Sequence, residues 1–136
     1  MKVTLEQLND AGAELFPGLV GIEFDDYSDG VVRARLELRS ELQAPNGYLH
    51  AGALVTLADT ACGYGCFLTK PDDATGFTTI ELKTNFLRSA QEGTITCEAR
   101  LVHGGRTTQL WDAAIAGADG RTMALFRATQ LLLYPR

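Results

Sequence analysis

Basic residues are scarce: 12 Lys and Arg stand against 17 Asp and Glu, for a formal net charge of -5. A nucleic-acid binder carries a basic face or a basic run, and none is visible. Long apolar runs are missing as well. No stretch approaches the ~18 consecutive apolar residues of a membrane-spanning helix. The opening Met1-Lys2-Val3-Thr4-Leu5-Glu6-Gln7 lacks the apolar core of a signal peptide. These absences predict a cytoplasmic chain with no membrane partner. Cysteine is limited to Cys62, Cys66 and Cys97, an odd and sparse set that suits reduced thiols better than a disulfide framework. Cys62 and Cys66 are four apart, but no nearby His or third Cys completes a metal set. They read as small core residues, and no metal is expected.

What is present is enough apolar surface for a core: 46% of 136 residues are hydrophobic. That length fits a single domain over residues 1–136. Thr4 followed by Gln7 is a capping-box pattern, and Leu5, Leu8, Gly12 and Leu15 mark one face of a short helix that Phe16-Pro17-Gly18 ends. A strand is expected over residues 20–27. Over residues 31–39, Val32, Ala34, Leu36 and Leu38 alternate with Arg33, Arg35, Glu37 and Arg39, which predicts a strand with one wet face. Residues 43–47 form a loop with an Asn-Gly turn. Residues 51–69 read as the one long helix, striped by Leu54, Leu57, Ala58, Ala61, Gly65 and Leu68. Its other side carries Gly, Ala, Thr, Cys and Val rather than charge, so something must wrap it. Four more strands are expected, at 76–87, 94–103, 107–116 and 121–134, with links short enough for antiparallel pairing. The sum is an α+β domain in which an antiparallel sheet of about six strands curls around one helix. A sheet on one side of the helix leaves the other side wanting a second subunit.

Asp59 is the one charged residue between Ala51 and Thr69. Its helical neighbours Val55, Thr56, Cys62 and Gly63 cannot neutralise it. Burying a lone carboxylate costs several kcal/mol or shifts its pKa, and proteins tolerate that mainly where the group works. The alternative is a buried Asp satisfied by Thr and backbone groups. His50 stands directly before the helix, whose first N–H groups lack internal partners and suit a developing oxyanion. Gly52 lets a ligand approach that backbone. His50 and Asp59 are about 13 Å apart along a helix and roughly half a turn out of phase. They can serve one carbonyl only if two subunits share the site.

The segments Asn46-Gly47-Tyr48-Leu49-His50-Ala51-Gly52 and Leu57-Ala58-Asp59-Thr60 resemble the signature of PaaI-type hotdog thioesterases, a His-Gly-Gly followed at this distance by Leu-x-Asp or Leu-x-Glu. The stretch from Thr78 to Arg88, which includes Asn85, and the triplet Gly104-Gly105-Arg106 match as well, so the resemblance spans nearly the whole chain. It implies a hotdog fold with a short N-terminal helix, a homodimer or dimer of dimers with shared sites, and hydrolysis of acyl-CoA thioesters, aryl ones included. It implies that Asp59 acts as nucleophile or as general base on water, that the Ala51 N–H polarises the carbonyl, that His50 positions the substrate, and that Thr79 assists the attacking water. Asn85 falls among the substrate-binding positions. Two departures stand out: Ala51 replaces the middle Gly, and the amide that many members carry six residues before the His is here Ala44. Asn46 or Gln43 would take that role.

The CoA thiolate leaves easily, so no strong acid, metal or bound cofactor is expected beyond the CoA of the substrate. Arg88 and Arg106, at a strand end and a turn, are candidate phosphate partners; the alternative is ordinary surface charge. Tyr48, Tyr64 and Phe67 line the acyl pocket or belong to the core. Rival readings are a hotdog hydratase or dehydratase and a non-catalytic acyl-CoA binder.

Overall fold

A computed structural model describes residues 2–136. Six strands form one antiparallel sheet: β1 (Ile22–Ser28), β2 (Val31–Glu37), β3 (Gly76–Phe86), β4 (Thr94–Gly104), β5 (Thr108–Ala116) and β6 (Thr122–Leu133). Their spatial order is β1-β2-β4-β5-β6-β3. The helices are α1 (Leu5–Gly12), α2 (Phe16–Val20) and α3 (Ala51–Thr69), with a 3-10 turn at Ser40–Leu42. The sheet curls about α3, which touches every strand. This is the hotdog arrangement.

Local chemistry accounts for the boundaries. Thr4 and Gln7 exchange both hydrogen bonds of the capping box at the start of α1. Phe16-Pro17-Gly18 was expected to end the first helix; instead it opens α2, because Pro17 sits where a helix start needs no N–H. Asp29 and Gly30, with φ of 49° and 75°, make the tight turn between β1 and β2. Val32, Ala34, Leu36 and Leu38 are buried as their alternation predicts. β3 departs from the expected pairing. It is joined to β4 by a short link, yet it pairs with β6. Three strand spacings are about 14 Å, which seven residues span easily, and the link runs from the Met123 carbonyl, where Leu87 and Arg88 donate, to Gly93, whose carbonyl accepts from Leu38.

By length and composition alone α3 would pass for a membrane span, although Asp59 interrupts it and it holds no run of 18 apolar residues. Here nine of its residues are buried in the fold, Leu57, Ala58 and Cys62 among them. Gly65 allows the indole of Trp111 to lie against the helix, since a Cβ there would sit 2.3 Å from Trp111 Cη2. Tyr64 stacks on Phe24 at 4.4 Å and packs, partly buried, against the core, while Tyr48 and Phe67 are exposed. All three cysteines are buried and unpaired, and burial pushes the Cys66 thiol up to about 11 and that of Cys97 up to about 12.

The two sheet edges differ. On β1, Asn9 of α1 accepts the Phe24 N–H at 2.7 Å and donates to the Phe24 carbonyl at 3.1 Å, so a side chain occupies the backbone that a further strand would need. β3 has no such cover among the described residues, and Ile80, Leu82 and Phe86 are exposed along it. An open apolar edge is a pairing site.

Candidate active site

α3 carries a stripe of half-buried residues, Gly52, Val55, Thr56, Asp59 and Thr60, at helical spacing among fully buried ones. This stripe is the part of the helix the chain does not fully cover, and it lies toward β3. Asp59 meets that strand directly: the Thr79 hydroxyl is 3.4 Å from Asp59 Oδ1. Partial burial raises the Asp59 pKa from its ordinary value, and the Thr79 hydrogen bond works against that rise. A bulge between Thr79 and Glu81 interrupts the pairing of β3 with β6 beside the carboxylate; such bulges re-aim side chains.

At the start of α3, His50 is the N-cap. Its Nδ1 accepts the Gly52 N–H at 2.8 Å. The neutral ring therefore carries its proton on Nε2, free to serve a ligand. Gly52 also leaves room for that ring. A Cβ on it would lie 2.8 Å from His50 Nδ1, so the space beside its backbone holds the chain's own imidazole. With Gly52 N–H committed to His50 and Ala53 N–H to the His50 carbonyl at 2.9 Å, the Ala51 N–H is the first-turn donor without a partner among the described residues. Ala51 is itself an exposed residue.

The loop before His50 is well braced. Ala44 N–H donates to the Tyr48 carbonyl at 2.7 Å and His50 N–H to the Leu42 carbonyl at 2.9 Å. Asn46 Oδ1 accepts the Tyr48 N–H at 3.2 Å, an Asx turn that leaves its amide nitrogen exposed. Gln91 Nε2 donates to the Gly47 carbonyl at 2.9 Å, tying the segment that follows Arg88 to this loop. Arg88 is exposed there. Arg106 sits near the opposite end of α3, paired with Asp73 at 2.9 Å and stacked on Tyr134. Asn85 pairs with the exposed Leu125 and lies on the face of the sheet away from α3. Within one chain, then, His50 and Ala51 form one group, Asp59 and Thr79 another, and Asn85 and Arg106 join neither.

Sequence reasoning missed Gln130. It is buried, opposes Thr79 across the strands, and its Oε1 lies 2.8 Å from the Thr79 hydroxyl. The signal was available: Ala124, Phe126, Ala128 and Leu132 fill the other inward positions of β6, and a Gln in such a series is an anomaly.

The Thioesterase superfamily profile matches residues 46–124, which hold every group just described on α3 and β3. The chain is 31% identical over 135 residues to the 1,4-dihydroxy-2-naphthoyl-CoA hydrolase of Escherichia coli K12, covering 97% of this chain and 96% of that one. A crystal structure of a mutant of thioesterase PA1618 from Pseudomonas aeruginosa superposes with a TM-score of 0.92 at 32% identity, over 98% and 96% of the two chains. The Escherichia coli PaaI protein of the phenylacetic acid degradation operon superposes with a TM-score of 0.82 at 25% identity, over 95% and 93%. Fold, motif order and full-length similarity agree: the chain belongs to the thioesterase superfamily, as a PaaI-type thioesterase of the hotdog fold.

Proposed function

We propose that the chain hydrolyses an acyl-CoA thioester to the free acid and CoA, with Asp59 as the reacting carboxylate. The observation that carries this is Asp59 itself, a half-buried carboxylate on the uncovered stripe of α3 with a raised pKa and one hydrogen-bond donor. The thioester carbonyl accepts the Ala51 N–H at the positive end of the α3 dipole. Asp59 attacks the carbonyl carbon, or takes a proton from a water that does. If Asp59 attacks, an acyl–Asp59 anhydride forms as the C–S bond breaks, and water then cleaves it to the free acid and the regenerated carboxylate. If water attacks, its proton passes to Asp59 and the acid forms directly. On either route CoA leaves as thiolate and takes up the proton that water gives up. His50 Nε2–H orients the acyl group or the sulfur. This chemistry needs no cofactor beyond the substrate's own CoA. Arg88, beside the His50 loop, is better placed than Arg106 to meet a CoA phosphate, since Asp73 already holds Arg106. Aryl acyl groups fit what the Escherichia coli relative hydrolyses.

His50 and Asp59 lie about 13 Å apart on one helix, so the site is composite. A second copy pairing along the open β3 edge brings His50 and Ala51 of one subunit to Asp59 of the other, and two-fold symmetry gives two sites. The test is product formation from short, long and aryl acyl-CoAs followed by chromatography, with an enoyl-CoA included. Turnover of at least one thioester is the expected result and names the acyl class. Water addition to the enoyl-CoA with no thioester cleavage would overturn the reading. Sharing is tested by mixing His50→Ala with Asp59→Asn subunits: a mixed dimer regains one intact site and therefore activity, whereas a site within one chain regains none.

A further inference from the structure

The face of the sheet that packs on α3 is mostly apolar, and one row across it is polar. Gln109 on β5, Gln130 on β6 and Thr79 on β3 are register partners, and the row ends at Asp59. Gln109 is 1% exposed and Gln130 0%. An amide buried without partners costs roughly 2 kcal/mol or more, so both need their hydrogen bonds accounted for. Gln109 Oε1 accepts the Trp111 indole N–H at 2.8 Å, while the Thr69 hydroxyl, 3.2 Å from it, has a nearer acceptor in the Gly65 carbonyl at 2.8 Å. Gln130 is worse served. Its Oε1 faces the Thr79 hydroxyl at 2.8 Å, and its Nε2 has no acceptor among the described residues.

Counting protons resolves the conflict. The Thr79 hydroxyl has one proton and faces two acceptors, Gln130 Oε1 at 2.8 Å and Asp59 Oδ1 at 3.4 Å. It cannot donate to both. A half-turn of the Gln130 amide about its Cγ–Cδ bond keeps the packing and exchanges nitrogen with oxygen. Nε2–H then donates to Thr79 Oγ1, and the hydroxyl proton is released to Asp59. The atom left without a partner becomes a carbonyl oxygen rather than an N–H group, which is the commoner defect inside proteins.

We propose that Gln130 is a positioning residue for Asp59: its amide N–H holds the Thr79 hydroxyl so that the hydroxyl's single proton points at the carboxylate. Three donors and acceptors in series polarise one another. Asp59 Oδ1 is fixed, and Oδ2 is left to meet the thioester or the water. This rests on Asp59 being the reacting carboxylate.

The test is kcat and KM for thioester hydrolysis by Gln130→Met, Thr79→Val, the double variant and Thr79→Ser, with Asp59→Asn as reference and thermal melts to show folding. Gln130→Met should lower kcat about tenfold with KM within about twofold. The double variant should be no slower than Thr79→Val, because the amide acts only through the hydroxyl. Thr79→Ser should restore most of the rate that Thr79→Val loses. Gln130→Leu takes the place of Gln130→Met if Met does not fold. An unchanged kcat in the Gln130 variant, or losses that multiply in the double, would overturn the proposal. If Asp59→Asn keeps the wild-type rate, the reading of the site fails instead, and the two failures are thereby told apart.

Discussion

The two halves of the sheet bury different chemistry against the same helix. On β1, β2 and β4 the buried inward positions are Ile22, Phe24, Val32, Ala34, Leu36, Ile95, Cys97 and Ala99, all apolar. On β5, β6 and β3 the corresponding positions include Gln109, Gln130, Thr79 and Thr84, and Gln130 and Thr84 each leave one buried polar atom without a partner among the described residues. One half holds the helix in place. The other spends stability on polar groups beside the carboxylate, and it also owns the uncovered edge. Such local departures from good core chemistry concentrate where a protein works.

Substitutions can separate the halves. Leu36→Ala, fully buried in the apolar half, should cost about 2–5 kcal/mol of stability; denaturant melts should show that loss while kcat per folded molecule stays unchanged. Gly65→Ala drives a methyl to 2.3 Å from Trp111 Cη2 and should cost about 1–3 kcal/mol. By contrast Gly63→Ala, whose Cβ would make an ordinary 3.5 Å contact with Phe77, should be neutral or gain up to about 1 kcal/mol from helix propensity. A Gly65→Ala variant as stable as Gly63→Ala would contradict that packing.

Thr79→Val removes the interaction that lowers the Asp59 pKa, leaving the burial that raises it. The carboxylate must be ionised to react, so the acid limb of the kcat/KM profile should move to higher pH, away from the ordinary Asp value of 3.8. A limb unmoved by Thr79→Val would detach Thr79 from the chemistry. The same shift has a stability sign. A carboxyl whose folded pKa is raised binds its proton more tightly in the native state, so its ionisation costs stability as pH rises from the unfolded value through the folded one. Asp59→Asn escapes that cost. Its Tm should exceed the wild type's near neutrality, and the gap should close toward acid pH. At the far end of the molecule, Thr4→Ala breaks the capping box and should cost about 1 kcal/mol with no change in rate.

Most of the fold was legible because its signals are local. The alternation of Val32 to Leu38 with arginines and a glutamate gives a strand, and the stripe of Leu54, Leu57, Ala58, Ala61, Gly65 and Leu68 gives α3 with its observed ends. The position of β3 was not legible, since a short link is compatible with pairing to β4 and only the curl of the sheet sends it to β6. In the site, Asp59 announced itself as a charge where none belonged, and Thr79 proved to be its hydrogen-bond partner. Asn85 was carried by resemblance, and strand register puts it on the other face. Arg106 was offered from its place in a turn, and tertiary contact gives it to Asp73. Gln130 needed attention to which face of β6 it occupies.

The most direct measurement of the central claim is CoA release from the best acyl-CoA substrate by wild type and Asp59→Asn, both shown to be folded and in the same oligomeric state. A loss of at least about a hundredfold in kcat with KM little changed is the predicted result. An Asp59→Asn protein that turns over at the wild-type rate would contradict it and send the search for the reacting group elsewhere on the chain.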